Sequence, residues 1–304
     1  MTDIYVGLWG PSRSGKTAYL CALKIIEDVR MTPLNTWAHT FMHDHATPFS
    51  EGKFPQATNA IVEYHFSVSV PPSPQLHYGL NAALFIVDSD GRILDQDSTT
   101  FNDDGYRTVL SAHFAQADGL LYIYDPLSHD NLVYLESLVK VMTPPTRAGA
   151  RAAKFEQFIA VCVAKFDDPR VFTQARAASF VPEGVAPSIP QNQEEYFMRT
   201  ADPAVVAEIR KHFQEERTRY FVTSSVGFRR NAEGKVDPSD YANVTIIKGE
   251  PRFKEGKGKI TPINLLEPLI WLERRITNRY HSDPDWRKEE KAQAKQENPQ
   301  AEPE

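Results

Sequence analysis

Short apolar runs alternate with amphipathic stretches along most of this chain. Strands are predicted at Ile4–Trp9, Ile61–Val70, Ala82–Val87, Gly119–Tyr124, Phe158–Ala164 and Tyr220–Thr223. Several are nearly continuous in apolar residues, as strands covered on both faces require. Ile61–Val70 instead alternates, with Val62, Tyr64, Phe66, Val68 and Val70 on one face, which fits a half-exposed edge or antiparallel strand. Helical spacing falls at Gly15–Arg30, Tyr106–Ala117, Asn131–Met142, Pro203–Arg219 and Asn264–Tyr280. Strands alternating with helices predict an α/β fold, a mostly parallel sheet with helices on both faces.

Three stretches interrupt this rhythm. Residues 31–59 are His- and Thr-rich with three prolines, residues 168–202 are proline-rich, and residues 227–261 mix glycines with charges. Long loops inside a compact domain are uncommon unless functional or disordered, so they read as insertions on one domain covering 1–281. Residues 282–304 are rich in Lys, Glu, Gln and Pro and read as a disordered tail. A 304-residue chain with 41% hydrophobic and 24% charged residues is ordinary for a soluble globular protein. The net charge of −6 gives no general pull toward nucleic acid or acidic membranes, so neither is expected as a partner. No apolar run approaches the roughly 20 residues of a membrane span, and no signal peptide is apparent. Cys21 and Cys162 both lie in apolar stretches, which suits a reducing cytoplasm better than a disulfide framework.

The strongest chemical signal follows the first strand. Gly10-Pro11-Ser12-Arg13-Ser14-Gly15-Lys16-Thr17 has the spacing of a phosphate-binding P-loop, and Ala18 continues into a helix. Gly10 and Gly15 allow the tight wrap, and the amides between them can converge on phosphate oxygens. Lys16 can reach the terminal phosphates, the Thr17 hydroxyl can ligate Mg²⁺, and the helix N-terminus adds its positive pole. This makes the expected fold a three-layer P-loop NTPase with long loop insertions. The predicted strand Ala82–Val87 runs into Asp88-Ser89-Asp90-Gly91. Asp88 can serve the Mg²⁺ site, and Gly91 can turn a backbone N–H toward a γ-phosphate, the contact that makes a following loop a switch.

The choice of base is addressed by Lys165-Phe166-Asp167, which follows the strand Phe158–Ala164. Here the chain resembles the Ras-like branch of P-loop GTPases, whose guanine-reading motif is Asn/Thr-Lys-x-Asp. A carboxylate accepts from both N1–H and N2–H₂ of guanine, and adenine offers no such donor pair. The resemblance implies that Asp167 reads guanine and that the Lys165 stem packs along the base. Ala164 departs from the pattern, which removes a bracing hydrogen bond and leaves room for weaker affinity or relaxed base choice. Ser224 and Ser225 after the last strand resemble the Ser-Ala-Lys loop that closes over guanine in the same family. The resemblance also implies a Mg²⁺-ligating switch threonine; Thr36, Thr40, Thr47 and Thr58 are candidates, with Thr58 favoured because it lies nearest the strand at Ile61.

Catalysis is less well marked. Ras-like enzymes often carry a water-orienting Gln after Asp-x-x-Gly, and this chain has Arg92. A guanidinium cannot act as a base, yet Arg92 or Arg13 can stabilise γ-phosphate charge; both are also readable as solvated or ion-paired arginines. Slow hydrolysis accelerated by a partner or by self-association is the expectation. His39, His43, His45 and Asp44 offer a weak zinc reading against a polar loop, and Lys248–Lys259 reads as a flexible basic loop or an anionic-partner surface.

The arrangement resembles the bacterial double-GTPase families of GTPase-centred, multi-gene conflict systems. Gly10–Thr17, Phe54–Thr58, Asp88–Gly91, Asp125-Pro126 and Pro262–Leu269 carry that resemblance. It implies a regulatory GTPase binding GTP/GDP with Mg²⁺ beside effector or adaptor proteins. Two other classes stay open: a nucleotide-dependent scaffold with little hydrolysis, and a P-loop ATPase or kinase in which Lys165 and Asp167 are incidental.

Overall fold

The computed structural model describes residues 3–55, 62–72, 80–88, 104–143, 154–182, 187–231, 233–237, 239–248, 250–254 and 260–282. Strand β1 (Asp3–Trp9) leads into helix α1 (Lys16–Lys24), edge strand β2 (Arg30–Pro33) and two short helices, α2 (Thr36–Phe41) and α3 (Thr47–Ser50). Then come β3 (Val62–Val70), β4 (Leu80–Asp88), α4 (Asp104–Gln116), β5 (Gly119–Tyr124), α5 (Asn131–Met142) and β6 (Phe158–Val163). The chain continues with α6 (Pro169–Ala177), α7 (Gln193–Thr200), α8 (Pro203–His212), β7 (Thr218–Val222), the hairpin β8 (Val244–Ile247) and β9 (Glu250–Phe253), and α9 (Leu266–Ser282).

The main sheet has the order β2-β3-β4-β1-β5-β6-β7. Strands β4, β1, β5, β6 and β7 are mutually parallel, so their C-terminal ends lie on one edge. Only β3 runs against them, pairing antiparallel with β4 on one side and β2 on the other. The apolar patterns explain the placement. Every residue of β5 and β6 is buried, as central strands with helices on both faces demand. In β3, Tyr64, Phe66, Val68 and Val70 are buried, and the intervening residues are partly exposed.

Two cores result, one on each face of the sheet. The first gathers Leu20 and Leu23 of α1, Phe41 and Phe49 of the α2–α3 segment, and Leu269, Leu272 and Ile276 of α9. The second gathers Phe114 of α4, Leu135 and Leu138 of α5, Phe172 of α6, Phe197 of α7 and Ile209 of α8. The expected three-layer α/β arrangement is therefore present.

The boundaries differ from the sequence reading at instructive places. Helix α1 stops at Lys24, well short of Arg30, because Asp28 adopts a left-handed conformation and Met31 is buried on the new edge strand β2. Helix α8 ends at His212 instead of Arg219: Phe213 turns extended to bury its ring, and Thr218 already belongs to β7. The three stretches read as loops carry regular elements. In 31–59 the helices α2 and α3 are joined by a π-helical turn at Met42–Ala46, and in 227–261 lies the β8–β9 hairpin. In 168–202 the prolines misled. Pro169 is the first residue of α6, capped by the Asp168 side chain, which accepts from Arg170 N–H. The charged segment 283–304, Thr58, Gly91 and Arg92 lie outside the described residues.

Candidate functional site

Strand β1 delivers Trp9 to the C-terminal edge of the sheet and anchors it there. Its indole N–H donates to Tyr134 O at 2.7 Å, and its ring meets Phe114 edge-to-face with centroids 5.2 Å apart. The chain then turns sharply at Gly10, whose φ is 153°. A Cβ at that position would lie 2.4 Å from Ile123 O of β5, so only glycine lets the loop start this close to the sheet. Gly15 closes the loop with φ 100°, and Arg13 sits exposed at its crown, also left-handed.

Inside the loop, Lys16 is buried and its ammonium donates to Gly10 O at 2.9 Å and Pro11 O at 3.0 Å. The side chain thus ties the loop's end to its start. Ser14 is fully buried, and its hydroxyl has no hydrogen-bond partner among the described residues. Helix α1 opens with no side-chain cap and no acidic residue in its own first turn, and its positive pole points into the loop. An uncapped helix start, a buried ammonium and an orphaned hydroxyl in one glycine-framed loop suit a phosphate group. Strand β4 ends at Asp88, three residues beyond the Tyr5↔Phe85 pairing, which brings its backbone to the same edge as the loop.

The opposite end of that edge is built by β5, β6 and β7. After β6, Ala164 N–H donates to Tyr124 O at 2.9 Å, and Phe166 N–H donates to Thr223 O at 3.2 Å. The Phe166 ring is fully buried and packs against Phe172, Tyr196 and Phe228, anchoring the loop from below. Lys165, just before it, has a left-handed backbone, and its ammonium donates to Asp125 Oδ2 at 2.6 Å. Asp167 is buried, and its Oδ1 accepts from the Ser224 hydroxyl. Burial pushes the Asp167 carboxyl up to about 6, with the Ser224 hydrogen bond pulling the other way. The Ser224 hydroxyl accepts in turn from Gly227 N–H at 2.8 Å and Val226 N–H at 3.3 Å. Asn243 closes the arrangement, donating to the Val226 and Gly227 carbonyls at 3.0 and 2.9 Å.

The sequence-predicted residues thus fall into groups. Gly10–Ala18 form one loop and helix start, and Asp88 ends the neighbouring strand. Lys165 and Asp167 share a loop with which Ser224 makes direct contact, and Ser225 follows it. The segment ahead of Thr58 is held at Phe54, whose ring stacks on Phe253 of the β8–β9 hairpin at 4.5 Å. Sequence reasoning missed Asn243, Asn131 and the partner of Lys165. Asp125-Pro126 was noted only as part of the family resemblance, and a pairing across 40 residues leaves no local pattern.

Other readings do not gather support. Among the described residues no group of three or more His, Cys, Asp and Glu could hold a metal ion, and His43 pairs instead with Asp44 at 2.6 Å. No helix among them is long and apolar enough to cross a membrane. The run at Lys248 begins with the hairpin turn, not a featureless loop.

The strand order, the loop between β1 and α1, and the acidic end of the adjoining parallel strand decide the architecture. This is a P-loop NTPase fold. No protein-family model matches the chain, and no curated protein matches it. Solved structures of similar fold include the Arl6 (BBS3) small GTPase of Trypanosoma brucei with a bound nucleotide analogue, at 11% identity and a TM-score of 0.41. That match covers 91% of this chain and 99% of the other. The S. cerevisiae Ski7 GTPase-like domain bound to GTP is similar at 12% identity and a TM-score of 0.39, over 91% of this chain and 50% of that one. Elongation factor SelB of Methanococcus maripaludis, in complex with a GTP analogue, is similar at 11% identity and a TM-score of 0.35, over 74% and 30%. The chain therefore spans half of the second and under a third of the third. Likenesses this distant carry no argument about activity, which has to come from the site.

Proposed function

We propose that this chain binds guanine nucleotides with Mg²⁺, hydrolyses GTP slowly, and acts as a regulatory switch for partner proteins. The observation that carries the reading is Asp167: a buried carboxylate, held by Ser224, on the same sheet edge as the phosphate loop. A carboxylate without a cationic partner in hydrogen-bond contact is costly to bury, and two converging donors of a guanine edge would compensate it. Adenine lacks that donor pair.

In this reading, Gly10–Ala18 cradle the phosphates, with Lys16 turned from loop carbonyls toward the terminal phosphate oxygens. Thr17, Asp88 and Thr58 would hold Mg²⁺, which supplies charge neutralisation at the β- and γ-phosphates. The backbone N–H of Gly91 would sense the γ-phosphate. Lys165, Asp167, Ser224 and Ser225 form the base end. Arg13 and Arg92 are the groups available to stabilise charge in the transition state, and neither can activate water as a base. Hydrolysis by the isolated chain is therefore slow, and a protein partner or self-association speeds it. The working unit in this reading is a single domain in the cytoplasm, closed by helix α9 at Ser282. The wider motif resemblance supports a place beside effectors in a bacterial conflict system.

Arg92 at the position after Asp-x-x-Gly also favours a second reading, a nucleotide-dependent scaffold that scarcely hydrolyses. Competition titrations with GTP, GDP and ATP on wild type and Asp167→Asn test the base assignment. Guanine selectivity that persists in Asp167→Asn overturns it. Multiple-turnover phosphate release, with and without a partner, separates switch from scaffold. Rapid turnover by dilute wild type, unchanged in Arg13→Ala and Arg92→Ala, overturns the slow-switch proposal.

A further inference from the structure

We infer that Asp125 and Asn131 are positioning residues that set base selectivity by holding Lys165, replacing the bracing that Ala164 does not provide. The inference rests on the guanine-nucleotide reading above and deepens it.

Lys165 occupies a left-handed backbone conformation at φ 58°, which a non-glycine residue adopts at some cost unless its surroundings fix it. The surroundings here are specific. The Lys165 ammonium donates to Asp125 Oδ2 at 2.6 Å, and the Asp125 side chain is only 4% exposed. Its other oxygen accepts from Leu127 N–H at 3.0 Å, which locks the carboxylate rotamer. The Asp125 backbone is itself clamped by Asn131, buried at the first turn of α5. Asn131 Oδ1 accepts from Asp125 N–H at 3.0 Å, and Asn131 Nδ2 donates to Asp125 O and Ser128 O, both at 2.8 Å. A rigid line therefore runs from α5 through the end of β5 to the loop after β6.

The consequence for a bound base is geometric. The ammonium is held toward the sheet, so the methylene stem of a one-third exposed side chain is what Lys165 presents beyond it. The pair also fixes the loop two residues before Asp167, whose carboxylate must meet two donors at once. In the Ras-like pattern a side chain at position 164 braces this loop. Here position 164 is a buried alanine with only backbone bonding to Tyr124 O. The brace has moved to a charged pair between neighbouring strands.

Equilibrium binding of GDP and ADP to the full chain tests this in Asp125→Asn, Lys165→Met and the double variant. The expected result is a loss of GDP affinity of about tenfold in each single variant, ADP affinity unchanged, and no further loss in the double variant. Asp118→Asn serves as control. That carboxylate is equally buried at the opposite end of β5, where it accepts from Tyr5 N–H and the Tyr280 hydroxyl. It is expected to lower the melting temperature and leave the GDP-to-ADP ratio intact. Lys165→Met carries the test even where Asp125→Asn reduces the yield of folded protein. Additive losses, or GDP and ADP weakening in parallel, would overturn the inference while leaving the guanine reading in place. A wild type without preference for GDP overturns both.

Discussion

The two ends of the candidate site are built by opposite means. The phosphate end comes from eight consecutive residues and relies on backbone: two glycines, a helix start and one lysine folded back on its own loop. The base end comes from segments after β5, β6 and β7, with Asn243 from a fourth, and relies on side chains bonded across 17 to 57 residues. A local loop of that kind forms whenever its strand and helix form. An assembly of distant side chains depends on every strand being in register, so it is the end at which affinity and selectivity can be tuned or lost separately.

That contrast can be broken at the phosphate end first. Lys16→Ala is expected to weaken GTP, GDP and ATP alike, by about a hundredfold or more, because it removes a charge shared by all three. Isothermal titration with each nucleotide checks this; a loss confined to guanine nucleotides contradicts the division. Gly10→Ala tests the same end through the fold. Its Cβ would meet Ile123 O, so unfolding free energy should fall by about 2–4 kcal/mol in a denaturant titration.

At the base end the effects should be smaller and selective. Asp167→Asn is expected to cost GDP about 2–3 kcal/mol while leaving ADP untouched, since in the proposed reading the lost acceptor would meet only guanine donors. The pH dependence follows from the same group. Guanine needs the carboxylate, so GDP affinity should fall as pH drops through about 6 and ADP affinity should not follow. Stability runs the other way. A carboxyl whose folded pKa is raised binds its proton more tightly when folded, so its contribution to stability increases as pH falls from about 6 toward 4. Wild type minus Asp167→Asn, followed by unfolding at pH 7 and pH 5, isolates that opposite sign. Ser224→Ala should have the mildest effect, about 1 kcal/mol on GDP binding, because Asp167 loses one hydrogen bond and keeps its position. A larger effect on ADP than on GDP would show that Ser224 organises the whole edge.

The legibility of the sequence follows the same divide. β5 and α5 were read to the residue, because Gly119–Tyr124 is a pure apolar run and Asn131–Met142 has strict helical spacing. Edge strand β2 was not read, because four residues ending in proline give no periodic signal and gain their meaning only by pairing with β3. Asp168-Pro169 was taken for loop punctuation, although an acidic cap before a first-turn proline is also how a helix begins.

By itself the sequence determined the candidate phosphate loop, the alternation of strands and helices, and the acidic and basic residues placed at strand ends. These are matters of neighbours in the chain: a glycine's freedom, a helix's first turn, a buried strand's need for apolar residues. The tertiary structure alone decided that Lys165 leans on Asp125, that Asn131 holds Asp125, and that Asn243 braces the Ser224 loop. Those bonds exist because parallel strands, separated by whole helices in sequence, end side by side in space, and no local pattern encodes which side chains then meet.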